Sequence, residues 1–135
     1  MKHYRVSYRE MVMGKGSSVS EVYARIRNLT DDDILDIVDW NLSHLNTTDT
    51  DYAVYESYDH ALSCAKTISY ERDFALVQTQ VGYQVESYVA FISEEDASAD
   101  GDVEIISVTT VIAKTINKNR MALDCNFIVK RVNQK

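Results

Sequence analysis

Proline is missing from this chain of 135 residues, and glycine occurs at only four positions. Few turns are pre-set by ring geometry, and long disordered linkers are not expected. Cysteine occurs twice, as Cys64 and Cys125, each among apolar neighbours. A single pair without an export signal reads as two reduced core thiols rather than a disulfide. Long apolar runs are also lacking. The longest uncharged one, 105–113, is about half of what a membrane-spanning helix needs. The opening Met-Lys-His-Tyr-Arg-Val carries no apolar signal core, so a cytoplasmic protein without a membrane partner is expected.

The most informative absence is local. Residues 28–65 contain no Lys or Arg but hold nine acids: Asp31, Asp32, Asp33, Asp36, Asp39, Asp49, Asp51, Glu56 and Asp59. The whole chain has a formal net charge of −7, yet residues 1–27 and 103–135 are each net +4. Residues 93–102 add another −5. The ends are basic and the middle is acidic.

What is present describes one soluble domain. The chain is 45% hydrophobic and 26% charged, and its length buries a core without metal or disulfide staples. Tyr4, Val6 and Tyr8 alternate with Arg5, Ser7 and Arg9, which predicts a strand over 4–13. Gly14-Lys15-Gly16-Ser17-Ser18 is a turn cluster. Val22, Ala24 and Ile26 then alternate with Tyr23, Arg25 and Arg27, which predicts the second arm of a hairpin. Thr30 stands as an N-cap before three aspartates, and Ile34, Leu35, Val38, Leu42 and Leu45 recur at helical steps. A helix over 30–45 follows, with Asp32, Asp36 and Asp39 on its outer face.

Residues 52–56 read as a short strand, and Ser57 as the cap of a second helix over 58–69 that buries Ala61, Leu62, Ala65 and Ile68. Strands are expected at 74–79, 83–92, 103–114 and 120–132, with a turn at 115–119 and an exposed, mobile acidic loop at 93–102. The order β-β-α-β-α-β-β-β-β argues for α+β: an antiparallel sheet of about five to seven strands with two helices on one face. The other face would carry the arginines.

Chemistry-bearing clusters are sparse. His60 and Cys64 stand four apart on a predicted helix, but no orienting third group or oxyanion hole is visible. His44, Asp49 and Asp51 offer too few oxygen donors for a hard cation. The Gly14–Ser18 cluster lacks P-loop spacing and, in this reading, leads into a strand. No catalytic group, metal or cofactor is assigned.

Two binding surfaces remain. Arg5, Arg9, Tyr23, Arg25 and Arg27 would make a basic face for a nucleotide or RNA. Against this, the sequence pI near 4.8 disfavours direct nucleic-acid binding. Asp31, Asp32, Asp33, Asp36, Asp39, Asp49 and Asp51 would make an acidic face that steers a basic partner, because solvated helices ordinarily mix signs. The expectation is a small non-enzymatic interaction module that engages a basic protein surface, that of a nucleic-acid-binding protein. One concrete version is an inhibitor of a host-defence complex, as viruses and mobile elements deploy. A homo-oligomer stays open.

Overall fold

The computed structural model describes residues 1–44, 49–114 and 127–134. It is α+β: strands β1 (Lys2–Gly16), β2 (Thr50–Tyr55), β3 (Ala75–Thr79), β4 (Gly82–Ala97), β5 (Val103–Ala113) and β6 (Phe127–Asn133), and helices α1 (Val19–Arg27), α2 (Asp31–His44) and α3 (Tyr58–Glu71). The strands form one antiparallel sheet in the order β2-β1-β4-β5-β6, with β3 beside the start of β4. The expected turn at 115–119, the start of the last strand and Cys125 lie outside the described residues.

β1 and β4 pair along almost their whole lengths, from Lys2 opposite Asp96 to Gly16 opposite Tyr83. Because side chains alternate across a strand, this long pair feeds two cores. Val85, Val89 and Phe91 of β4 join Met11 and Met13 of β1 under Val22, Ile26, Ile34 and Val38 from α1 and α2. Ala90 and Ile92 join Val6 and Val111 under Ala61, Ala65 and Ile68 from α3. The sheet is therefore covered on both faces. Helices α2 and α3, expected on one face, lie on opposite ones.

The second correction is α1. Residues 22–27, expected as a strand, are helical. Val22 and Ile26 satisfy both a period of 2 and an i, i+4 step, so their spacing does not separate the two. What decides is the start: the Ser18 hydroxyl accepts from the Glu21 backbone N–H at 3.2 Å, and the Glu21 carboxylate reaches back to the Ser17 N–H at 3.0 Å. This is a capping box whose return bond falls one residue early, on Ser17 rather than on the cap Ser18, and Ser18-Val19-Ser20-Glu21 spells the motif in the sequence. A bulge between Val12 and Gly14 turns Gly14 and Gly16 toward α1. A Cβ on Gly16 would stand 2.8 Å from Val22 Cγ2, so glycine there sets how closely the helix approaches.

The third correction is the acidic segment. Residues 93–97, expected in a mobile loop, are the end of β4, paired with both β1 and β5. Glu94 and Glu95 are buried and point to opposite faces. Glu94 accepts from Ser107 Oγ and Arg131 Nη2, both at 2.8 Å. Glu95 meets His3 Nε2 at 2.7 Å and Arg5 Nε at 3.3 Å. Cations from β1 and β6 convert an acid run into a strand. Only 98–102 form the exposed connection.

Candidate functional site

Helix α2 begins as its sequence foretells. Thr30 Oγ1 accepts from the Asp33 N–H at 3.1 Å, and Asp33 Oδ2 accepts from the Thr30 N–H at 3.0 Å. Aspartates in this first turn sit at the positive end of the helix dipole. Ile34 and Val38 are buried against the sheet, and Asn41 rather than Leu42 completes the stripe. Asn41 tolerates burial because its side-chain amide donates to the Ile37 carbonyl at 2.8 Å. Leu42, expected in the core, is 40% exposed.

The outer surface of α2 carries Asp32, Asp36 and Asp39 at steps of four and three, so they share one face. Trp40 follows Asp36 by four and is 56% exposed. Its indole stacks on the His44 imidazole, with centroids 4.5 Å apart and planes 12° from parallel. His44 Nδ1 donates to the Trp40 carbonyl at 2.9 Å, which fixes the ring against the indole. An exposed tryptophan held by a stacked neighbour loses little freedom on binding, which suits an interface anchor. Sequence reading passed over Trp40. Its position on the polar side of the helical repeat, four from Asp36 and four from His44, was the available signal.

The acidic set is not all free. Lys114 pairs with Asp31, and Arg9 Nε lies 2.9 Å from Asp49 Oδ1, at an angle that makes no hydrogen bond. Asp33 is engaged in the cap. Asp51 is exposed on β2. Asp32, Asp36 and Asp39 have no ion pair among the described residues and form, with Trp40, the cluster that remains.

The arginine-bearing face does not assemble. Arg5 and Arg9 lie on β1 and pair with Glu95 and Asp49, whereas Tyr23, Arg25 and Arg27 lie on α1. Arg25 is held by Glu21 at 2.7 Å and by the Lys15 carbonyl at 2.7 Å. The Gly14–Ser18 segment does lead into a helix, contrary to expectation, yet Glu21 occupies the place of an anion at that end. Cys64 is a free, half-buried thiol whose hydrogen bond raises the Tyr55 hydroxyl above its ordinary value. His60 is exposed, and its backbone N–H donates to the Ser57 cap.

No helix among the described residues is long and apolar enough to cross a membrane, and no group of three potential metal ligands occurs among them. The chain matches no family model, no curated protein and no solved structure.

Proposed function

We propose that this protein is a non-enzymatic interaction module that engages a basic protein surface through the outer face of α2. Trp40 is its anchor, and Asp32, Asp36 and Asp39 are its steering charges. The observation that carries the reading is the exposed, stacked Trp40 beside three aspartates with no ion pair among the described residues. A guanidinium or ammonium group gains twice there, from the indole face and from the carboxylates. A protein that itself binds nucleic acid presents such cations in number, and covering them would inhibit it. A host-defence complex is one such target. The setting we expect is the cytoplasm, where a free thiol such as Cys64 stays reduced.

The test is association kinetics with the natural partner, recovered by pull-down. Reversing Asp32, Asp36 and Asp39 to Lys should slow association far more than it speeds dissociation, because rim charges act on encounter. Trp40→Ala should instead shorten the lifetime of the complex, since interface mutations act mainly on dissociation. If the triple reversal associates as fast as the parent while Arg25→Glu with Arg27→Glu abolishes binding, the acidic surface is not the working one.

A further inference from the structure

A groove of about 410 Å³ runs beside Trp40, between Val12–Lys15 of β1 and Ile37, Trp40 and Asn41 of α2. Its origin lies in the sheet. β2 pairs with β1 only from Tyr4 to Tyr8, and among the described residues no strand continues along that side of β1. A paired strand would lie about 4.8 Å away, whereas a helix stands farther off and leaves a gap. Four successive residues of β1 line it, across the bulge between Val12 and Gly14 that interrupts the side-chain alternation there.

The lining is mostly apolar, with Asn41 its polar member and Lys15, on the β1 side, its charged one. Val12, Met13 and Ile37 supply aliphatic surface. On the α2 lip stands Trp40, with Asp36 one turn behind it and Asp32 one turn further. The α2 lip thus prefers a cation and the floor a hydrocarbon, while Lys15 lines the β1 side.

We propose, resting on the interaction reading above, that this groove takes one aliphatic side chain of the basic partner, with the Arg or Lys next to it laid over Trp40 and paired with Asp36. The recognised feature is a short exposed segment in which a leucine-sized residue adjoins an arginine or lysine. Asp32, Asp36 and Asp39 on the α2 side outnumber Lys15 on the β1 side, so charge complementarity selects this occupant over an acidic one. The apolar floor supplies a preference that charge alone lacks.

Trp40 is the sole tryptophan, so its emission reports directly on the site. The probes are three end-blocked peptides, Arg-Leu-Arg, Arg-Ala-Arg and Glu-Leu-Glu, titrated into the full chain. Arg-Leu-Arg should move the Trp40 emission to shorter wavelength and bind at least about tenfold more tightly than Arg-Ala-Arg, the discrimination a hydrophobic pocket makes for missing methylenes. Glu-Leu-Glu should not bind. Ile37→Phe, at a half-buried position, should fill the groove and remove the preference for leucine while leaving the melting curve close to the parent's. Met13→Leu, which keeps volume, should retain the preference.

Equal binding of the leucine and alanine peptides overturns the groove assignment. So does normal capture of the natural partner by Ile37→Phe while the aspartate reversals fail; in that case the α2 reading survives without the groove. If sedimentation shows a dimer that Ile37→Phe converts to monomer, the occupant is a second copy, and the basic partner is wrong.

Discussion

At the scale of residues, the two buried glutamates of β4 are the most sensitive groups. The Arg131 hydrogen bond, opposed by burial and helped by Ser107, holds the Glu94 carboxyl below the usual range. Burial pushes Glu95 up, but His3 and Arg5 outweigh it and its carboxyl is also lowered. A carboxyl depressed in the folded state contributes stability above its unfolded value, about 4.3. That contribution is lost as pH falls through the lower, folded value. Urea unfolding of the parent should therefore weaken steeply below about pH 4. Glu94→Gln should cost about 1–3 kcal/mol at pH 7, and the gap to the parent should close as the pH is lowered. A constant gap across that range would remove Glu94 from the acid limb. Arg131, 41% exposed, also lies 4.3 Å over the Tyr58 ring. Its loss should cost about 2–3 kcal/mol, below the range for a fully buried pair because water reaches the guanidinium.

Elements show where local signals suffice. The α2 and α3 helices were readable because each combines a cap, Thr30 or Ser57, with apolar steps of three and four. Val38 is 2% exposed, so Val38→Asp leaves a carboxylate without a partner in the first core and should lower Tm by more than about 10 °C. A smaller change in a thermal melt would mean that α2 lies less deep than its stripe indicates. At the β3–β4 turn, Gly82 has φ +145°, and a Cβ there would stand 2.5 Å from the Gly16 carbonyl oxygen. Gly101 has φ +86° with open space around it. Gly82→Ala should thus destabilise clearly more than Gly101→Ala, which bears only the backbone strain of about 1–3 kcal/mol. Equal melting temperatures for the two would show that the turn shifts to accept a methyl group. The acidic connection divides the same way. Shortening 98–102 should leave cooperative unfolding intact, whereas deleting 94–96 should abolish it, because those residues carry ladder pairs on both sides.

For the whole molecule, the chain's charge segregation does not become one cationic and one anionic side. Arg5, Arg9, Lys114 and Arg131 are drawn into pairs with Glu95, Asp49, Asp31 and Glu94, each from a distant part of the sequence. What remains for a partner is a smaller and sharper cluster on α2. Binding through it should weaken steadily with added salt, since exposed charges about 10 Å apart are largely screened near 0.1 M. Association rates measured at two ionic strengths check this. A salt-independent rate would leave Trp40 and the groove as the whole of the attraction.

The sequence by itself determined the α+β class, the strand character of both ends, the capped starts of α2 and α3, and the acidic outer stripe. Each of these rests on neighbours within one or two turns, or on alternation within one strand. Only the tertiary structure decided the rest. It set α2 and α3 on opposite faces, because a strand as long as β4 presents two apolar sides and periodicity cannot say which helix takes which. It made 93–97 a strand, because the cations that neutralise Glu94 and Glu95, Arg131 and Arg5, come from β6 and β1. It also chose Asn41 rather than Leu42 to complete the buried stripe of α2, because the Asn41 amide donates to the Ile37 carbonyl one turn back, and Trp40 stays at the surface beside Asp36.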